Sequence, residues 1–166
     1  MIEEYKEGVK AIYTGGTFEV PHAGHANFFK QISSLFPEYV VLVSLNTDDF
    51  IEEYKGKKPL YTLSEREKLV SYLFPSNMFE VMVNEYGADS ASTIDQVRNA
   101  GYYDIDLIAI GNDWLQKDYC KQMNFTAQWL TDRNIALMYF PHSDGISTTD
   151  IKKRINWNLP DFILYN

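Results

Sequence analysis

Five short apolar runs, spread along the chain and separated by longer segments, constrain the fold of this sequence more than any other feature. The runs are rich in β-branched and aromatic residues and are nearly continuous, which is typical of strands buried on both faces of a parallel sheet. They read AIYT (11–14), YVVLVSL (39–45), FEVMV (79–83), IDLIAIG (105–111) and IALMYF (135–140).

The segments between these runs carry the spacing of amphipathic helices. Those with the helical pattern are 24–36, 64–74, 90–101 and 118–134. Ser64 and Glu67 stand at the spacing of a capping box, and Gly101 is a typical helix terminator. Because strands and helices alternate, we predict a doubly wound, Rossmann-like α/β fold built on a parallel five-stranded sheet.

Length and composition are those of one globular domain. The chain has 166 residues, of which 45% are hydrophobic, and this is enough to bury a sizeable core. No repeat, low-complexity tract or linker divides it. We therefore predict a single domain over 1–166, with its core at about 9–156 and a C-terminal tail at 157–166.

Charge and residue usage argue against several classes of protein. A net charge of −8 disfavours broad binding to nucleic acid or to an anionic membrane, since both need a basic face. No apolar run reaches the roughly 18–20 residues of a membrane span. Cys120 is the single cysteine, so it cannot form an internal disulfide, and the acidic N-terminus does not resemble a secretion signal. We expect a cytoplasmic protein without membrane insertion.

The segment GGTFEVPHAGH (15–25) is the predicted crossing from the first strand to the first helix, and it holds two of the three histidines. In open parallel sheets such crossings lie at the carboxyl edge, where ligands bind. His22 and His25 would then lie near a helix start, where unpaired amides favour an anion. Two imidazole N–H donors about one turn apart can hold one phosphate group and stabilise the charge that develops on it, and Gly24 leaves room for a nucleotide.

Two other interpretations of these histidines stay open at this point. Histidines at a helix start also serve as caps that satisfy backbone groups. Alternatively, His22, His25 and His142 would form a three-histidine zinc site, although the usual cysteine or carboxylate spacing is absent. The glycines form neither a Walker loop nor a GxGxxG motif, which disfavours kinase and dinucleotide-binding interpretations.

Five blocks of sequence follow one another along residues 12–155. They are GTFEVPHAGH (16–25), NTDDF (46–50), GKKPLYTLSEREKLV (56–70), IGNDW (110–114) and DGISTTDIKKRI (144–155). The set resembles, in content and order, the motifs of the cytidylyltransferase branch of the nucleotidyltransferase superfamily, whose signature is GTFDxxHxGH. GNDW and GISTT are most similar to those of the glycerol-3-phosphate cytidylyltransferases. The resemblance also implies a homodimer.

The resemblance implies roles for residues in every block. The implied catalytic residues are His22, His25, Lys58 and Arg66, with both histidines on the nucleotide phosphates. The implied nucleotide-binding residues are Gly16, Thr17, Phe18, Gly24, Lys57, Gly111, Asp113, Trp114, His142, Gly145, Ile146, Ser147, Thr148 and Thr149. The implied acceptor-binding residues are Asp48 and Lys55, and no side chain is expected to ligate a metal.

Some of these residues also have structural explanations. The basic segment 55–66 is either solvated surface or a lid over phosphates. Ser147, Thr148 and Thr149 are either ordinary helix caps or ligands of the β- and γ-phosphates. Glu19 and His142 depart from the family pattern, which has aspartate and arginine at the corresponding positions.

The implied reaction transfers CMP from CTP to a phosphorylated alcohol, with glycerol 3-phosphate favoured, and gives a CDP-alcohol and pyrophosphate. The expected cofactor is Mg²⁺ bound mainly through the nucleotide phosphates. The expected partners are CTP and the phosphorylated alcohol, and no nucleic acid. The alternatives are an adenylyltransferase acting on a sugar phosphate or pantetheine phosphate, and a nucleotide-binding module without turnover.

Overall fold

The computed structural model describes residues 8–74, 76–87, 89–116 and 119–157, and within these ranges five parallel strands form one sheet. The strands are β1 Lys10–Gly16, β2 Val40–Asn46, β3 Phe79–Asn84, β4 Asp104–Gly111 and β5 Ala136–Phe140. Their order is β3-β2-β1-β4-β5, and every pairing is parallel. The predicted doubly wound α/β fold is confirmed.

Helices connect the strands. They are α1 Ala23–Leu35, α2 Asp48–Lys55, α3 Leu63–Leu73, α4 Ser90–Asn99, α5 Tyr119–Gln122, α6 Ala127–Asp132 and α7 Thr148–Trp157, and a 3₁₀ turn spans Asn112–Gln116. Among the described residues, no helix combines the length and the apolar character needed to cross a bilayer.

Two clusters of buried side chains pack helices against opposite faces of the sheet. In one cluster, Ile94 of α4 and Phe125 pack with Ile108 of β4. In the other, Phe29 of α1 packs with Val43 of β2. Full burial of a phenylalanine or an isoleucine stabilises the fold by about 1.5–3 kcal/mol. These clusters hold the strand ends, and the loops that follow them, in fixed positions.

The strand order creates a crevice at the carboxyl ends of β1 and β4. After β1 the chain continues to β2 and β3 on one side, whereas β4 and β5 extend the sheet on the other side. The loops that follow β1 and β4 therefore diverge, and ligands bind at such a switch point. The crossing that carries His22 and His25 lies there.

One helix was not predicted from the sequence, and another begins at a different residue. Helix α2 is not predicted from its sequence, because few of its eight residues are apolar; Thr47 caps its start. Helix α3 begins at Leu63 with a capping box between Thr62 and Glu65, so the predicted cap at Ser64 is wrong.

The amphipathic stretch predicted over 118–134 is divided into two short helices, α5 and α6. Asn124 lies between them with φ of 59°, in the left-handed region that interrupts a helix. In the predicted tail, Trp157 is the last residue of α7, and 158–166 lie outside the described residues.

Candidate active site

His22 and His25 together form the start of helix α1. His22 is the N-cap residue, and its Nδ1 accepts a hydrogen bond from Gly24 N at 3.1 Å. Nδ1 of His25 accepts a hydrogen bond from His22 N at 3.3 Å. The two rings stack with their centroids 3.9 Å apart. The pair is thus a reciprocal capping box, a role usually filled by Ser or Thr with Glu or Gln.

This capping fixes the tautomer of both rings. A backbone N–H can only donate, so Nδ1 of each histidine is an unprotonated acceptor. A neutral imidazole with unprotonated Nδ1 carries its proton on Nε2. The cap therefore uses one nitrogen of each ring and leaves one N–H donor per ring for a ligand. The capping interpretation is confirmed, and it is compatible with the predicted phosphate contact.

Burial keeps both rings neutral. Burial, followed by the proximity of His22 and His142, lowers the pKa of His25 to about 3. The pKa of His22 is lowered too, by burial and then by His142. Near neutral pH the pair donates hydrogen bonds without carrying charge, and a bound polyanion would favour protonation.

A cavity of about 450 Å³ opens beside these rings, at the carboxyl edge of the sheet. Both histidines line it. The other predicted site residues that line it are Gly16, Thr17, Phe18, Gly24, Lys55, Gly111, Asp113, His142, Ser147, Thr148 and Thr149. The fold thus brings together residues from blocks that are far apart in the sequence.

Gly24 and Phe18 shape the loop around the histidine rings. A Cβ at Gly24 would lie 2.9 Å from the His22 ring and 3.2 Å from Cγ2 of Ile146. Glycine at this position therefore accommodates the protein's own side chains as well as keeping the cavity open. Phe18 has φ of 44°, and its ring centroid lies 4.9 Å from that of His25. The loop backbone turns so that the Phe18 ring supports the second histidine.

Glu19 is the most buried charged group of the cavity lining, at 5% exposure. Its carboxylate accepts hydrogen bonds from Lys152 of α7 and, at 3.2 Å, from Lys55 of α2. Burial alone would raise the pKa of Glu19, but the bonds from Lys152 and Lys55 outweigh it and hold the pKa below its usual value. Glu19, which stands in place of the aspartate of the signature, therefore ties α2 and α7 to the β1–α1 loop.

Lys55 is the residue of the basic segment 55–58 that reaches the cavity. It lies in the last turn of α2, and Gly56, with φ of 71°, ends the helix in the left-handed conformation. Lys57 and Lys58 follow on an exposed segment outside the cavity lining. The nearest charged partner of Lys58 is Glu52, at 4.0 Å, and its side chain is 77% exposed. Lys57 and Lys58 therefore lie away from the cavity in this structure, and the phosphate contacts implied for them stay predictions.

Arg66 lies wholly inside the protein, at 0% exposure. Its guanidinium donates to the carbonyl oxygens of Thr17 at 2.7 Å, Asn46 at 2.8 Å and Tyr61 at 3.2 Å. It also donates to Oδ1 of Asp48 at 2.7 Å. Neither Arg66 nor Asp48 belongs to the described lining of the cavity, and the ligand contacts implied for them stay predictions. Both residues instead brace the loop and the strand end beneath it.

The segment 144–149 closes the cavity at the start of α7. Oγ of Ser147 accepts from Asp150 N at 3.1 Å and donates to the Asp150 carboxylate at 2.7 Å, so Ser147 caps the helix and also lines the cavity. Gly145 and Ile146 lie outside the described lining, although Ile146 approaches Gly24. The side chain predicted at Trp114 lies outside the described residues.

Part of the cavity wall is formed by residues that the sequence analysis does not assign to the site, although some of them lie within its motifs. The further lining residues are Thr14, Gly15, Phe28, Asn46, Phe50, Tyr54, Ile110, Met123, Pro141 and Ser143. Asn46 had a sequence signal, since it is a polar residue at the end of an apolar strand. Phe50 belongs to the block 46–50, whereas Tyr54 had no sequence signal, because helix α2 was not predicted.

The described residues contain no group of three or more His, Cys, Asp and Glu side chains that would hold a metal ion. His22 and His25 use Nδ1 for the helix cap. The three-histidine zinc interpretation therefore has no support here. Two neutral N–H donors, a helix start with hydroxyl groups and a lysine around one cavity are instead suited to a polyphosphate.

Comparison with known proteins agrees with this geometry. The sequence profile of the family described as cytidylyltransferase-like matches residues 13–154. The chain belongs to this family. As a cytidylyltransferase-like protein it falls within the nucleotidyltransferases, which the resemblance of the five blocks predicts.

Relatives of this cytidylyltransferase-like chain carry different names. An FAD synthase of Thermococcus sibiricus is 30% identical over 149 residues, which cover 87% of this chain and 90% of that protein. A glycerol-3-phosphate cytidylyltransferase of Bacillus spizizenii is 30% identical over 150 residues, which cover 87% and 96%. An ethanolamine-phosphate cytidylyltransferase of Mus musculus is 28% identical over 117 residues, which cover 70% of this chain and 27% of that protein.

The fold of this cytidylyltransferase-like chain also has a solved counterpart. The crystal structure of a lipopolysaccharide core biosynthesis protein from Thermoplasma volcanium aligns with a TM-score of 0.53 at 19% identity. The alignment covers 81% of this chain and 96% of that chain. At this identity the likeness supports the α/β architecture alone.

Proposed function

We propose that this chain transfers CMP from CTP to a phosphorylated alcohol, with glycerol 3-phosphate as the favoured acceptor, and releases pyrophosphate. The observation that carries the proposal is that His22 and His25 both cap helix α1 and line the cavity. Nδ1 of each ring caps α1, and the remaining Nε2–H donors belong to residues that line the cavity. Family membership and the glycerol-3-phosphate cytidylyltransferase relatives support the same reaction.

In the proposed reaction, an oxygen of the acceptor phosphate attacks the α-phosphorus of CTP. A new P–O bond forms, and the bond from the α-phosphorus to the bridging oxygen of the β-phosphate breaks. Pyrophosphate leaves opposite the attacking oxygen with the bonding electron pair. Negative charge grows on the oxygens of the α-phosphate during the transfer. The fixed donors of His22 and His25 therefore stabilise the transition state more than the ground state.

Other lining residues have supporting roles in this proposal. Lys55 supplies a positive charge near the reacting phosphates, and Glu19 holds that lysine in place. Ser147, Thr148 and Thr149 present hydroxyl groups at the start of α7, where a β- or γ-phosphate is favoured. Positioning and charge stabilisation suffice for such a transfer, and no covalent intermediate with the protein is required.

The carboxylates of the cavity fit a magnesium ion that is held by the nucleotide. Within the described lining the carboxylates are Glu19 and Asp113, and Glu19 is already engaged by two lysines. The described lining therefore offers Asp113 as its one carboxylate not engaged by lysine, and a bound Mg²⁺ would take most of its ligands from phosphate oxygens and water. When bound, the ion would neutralise charge on the leaving pyrophosphate.

Adenylyl transfer is the second candidate function. FAD contains an adenosine group, and the FAD synthase of T. sibiricus is as similar in identity as the glycerol-3-phosphate cytidylyltransferase of B. spizizenii, at 30% each. An enzyme of that kind would use ATP and a different phosphorylated acceptor in the same cavity.

Pyrophosphate release with CTP, ATP, GTP and UTP, each with a panel of phosphorylated acceptors, tests the proposal. We expect turnover with CTP and glycerol 3-phosphate. A preference for ATP would overturn cytidylyl transfer in favour of the second candidate. Nucleotide binding in calorimetry without pyrophosphate release from any pair would instead indicate a binding module. The implied homodimer stays a prediction. The molar mass in solution, measured by light scattering, tests it.

A further inference from the structure

One side of the cavity, at the carboxyl end of β2, is formed by Asn46, Phe50 and Tyr54, which the catalytic proposal does not use, together with Lys55, which it does use. Asn46 ends β2 and pairs in register with Asn84 at the end of β3. Phe50 and Tyr54 of α2 also line the cavity, and their rings stack at a centroid distance of 6.0 Å. We refer to Asn46, Phe50, Tyr54 and Lys55 as the β2 corner.

Backbone contacts fix the orientation of the Asn84 amide. Tyr86 N donates to Oδ1 of Asn84 at 3.3 Å, and Nδ2 of Asn84 donates to the Gly87 carbonyl at 2.7 Å. A backbone N–H can only donate and a carbonyl can only accept, so the two contacts identify the oxygen and the nitrogen of the amide. Oγ1 of Thr93 donates to the same Oδ1 at 2.6 Å. Asn84 is completely buried, which leaves this network no access to bulk water.

The fixed Asn84 amide in turn orients Asn46. Nδ2 of Asn84 donates to Oδ1 of Asn46 at 3.2 Å, so the oxygen of Asn46 faces the interior. Its Nδ2 has no hydrogen-bond partner among the described residues. In the described ranges, the fully buried side-chain atoms without a partner are Tyr13 Oη, Ser33 Oγ and Ser44 Oγ. Nδ2 of Asn46 is not among them, so this nitrogen is not fully enclosed by protein. Asn46 is 4% exposed and lines the cavity, so its free N–H₂ donor opens there.

The charges around the β2 corner disfavour a cationic ligand group. Asp48 is close in sequence but pairs with the buried Arg66. Glu19 is neutralised by Lys55 and Lys152. Asp113, the other carboxylate of the described lining, follows β4 on the far side of β1. A ligand in this corner meets an amide donor, a lysine and the rings of Phe50 and Tyr54. Within the described lining on this side of β1, an ammonium group would find no unpaired carboxylate to accept its hydrogen bonds.

We propose that Asn46 selects the acceptor substrate. Its Nδ2 donates to a hydroxyl or carbonyl oxygen on the end of the acceptor remote from the phosphate. The enzyme therefore uses hydroxylated phosphates, such as polyol phosphates, and discriminates against amino-alcohol phosphates. Asn84 is a positioning residue that keeps the Asn46 donor pointed at the cavity. This inference rests on the proposed function, since it requires a phosphorylated acceptor in the same cavity.

The test compares wild type with Asn46→Asp for two acceptors, glycerol 3-phosphate and phosphoethanolamine, with the nucleotide that turns over. In wild type we expect kcat/KM to be at least about tenfold higher for glycerol 3-phosphate, the scale of one polar contact. Asn46→Asp still accepts from Asn84 but turns a carboxylate oxygen to the cavity. It should lower kcat/KM for glycerol 3-phosphate about tenfold or more and raise it for phosphoethanolamine.

Matched variants separate selection from structural damage. Asn99→Asp makes the same change of charge at an exposed position at the end of α4 and should leave kcat/KM for both acceptors unchanged. Asn84→Asp should shift the preference in the same direction as Asn46→Asp, but by less. If Asn46→Asp does not fold, Asn46→Ser replaces it in the test. The serine side chain is too short to reach the same oxygen, so this variant should lower kcat/KM for glycerol 3-phosphate more than for phosphoethanolamine.

Three outcomes would overturn the inference. One is a higher kcat/KM of the wild type for phosphoethanolamine than for glycerol 3-phosphate. Another is an equal fall in kcat/KM for both acceptors in Asn46→Asp. The third is an unchanged preference in that variant. Each of these is distinct from failure of the proposed function, which is the absence of pyrophosphate release from CTP with any acceptor. Absence of release with every nucleotide would remove both proposals together.

Discussion

Oδ1 of Asp48 lies 2.7 Å from Nη2 of Arg66, whose side chain has no solvent exposure. The ion pair joins the start of α2 to α3, and the same guanidinium also holds the carbonyls of Thr17 and Asn46. Thr17 and Asn46 both line the cavity. Arg66 therefore acts on the site from beneath, through the backbone that carries the lining residues.

Arg66→Met should destabilise the protein by about 3–5 kcal/mol, because it removes the arginine donors to Oδ1 of Asp48 and to the carbonyls of Thr17, Asn46 and Tyr61. Urea unfolding followed by circular dichroism measures this loss. Arg98→Met, which removes an arginine that is partly exposed, should cost no more than about 1 kcal/mol. Unchanged stability of Arg66→Met together with loss of nucleotide binding would restore the anion contact predicted from the sequence.

Substitutions of His22 should separate its capping role from its role in turnover. Asparagine is a good N-cap, so His22→Asn should keep wild-type stability, whereas His22→Ala should lose about 1 kcal/mol. Both variants lack the Nε2–H donor, and both should lose about a hundredfold or more in kcat. Thermal unfolding and pyrophosphate release provide the two readouts. Normal turnover in His22→Asn would show that capping is the whole function of the residue.

Stability should fall as the pH falls below about 6.5, the usual pKa of histidine in an unfolded chain. The pKa of His25 is about 3 in the folded protein, so between these values the unfolded chain binds more protons. Protonation then favours unfolding, and the contribution of His25 stops changing below about pH 3. Urea unfolding at pH 7.5 and pH 5 tests this. His25→Asn should show a weaker pH dependence than wild type, and an identical dependence would contradict the assignment.

Lys55→Met should lower the rate of pyrophosphate release at least about tenfold, since it removes the positive charge that reaches the cavity from the segment 55–58. Lys58→Met is the matched substitution on the exposed segment and should stay within about twofold of wild type. The opposite ranking of the two variants would mean that the segment after Gly56 closes over the substrates and carries the catalytic cation there.

The sheet could be predicted because its signal is local. Each strand is a short apolar run, and the structure moves the predicted ends by one or two residues. Helix α2 escaped prediction because its apolar residues are few and Ile51 is its fully buried one. The division of 118–134 depends on the backbone of Asn124, and a left-handed asparagine leaves little trace in hydrophobic spacing.

The candidate site could be predicted where its residues belong to a compact motif. The block 16–25 contributes residues 16–19 of the loop, both histidines and the glycine between them, all of which line the cavity. The fate of Arg66 could not be read from the sequence, since a buried arginine depends on carbonyl groups that only the folded chain brings together. The same holds for Asn46, whose orientation depends on Asn84 in another strand.

The end of α2 at Gly56 divides the basic segment into an anchored part and a free part. The position of Lys55 is fixed because it belongs to the last turn of α2. The positions of Lys57 and Lys58 depend on the length of the loop that follows Gly56. Insertions or deletions between Lys57 and Tyr61 would therefore displace the later lysines and leave Lys55 where it is. Such changes of loop length cost little conformational entropy, since that cost grows slowly with the number of residues in the loop.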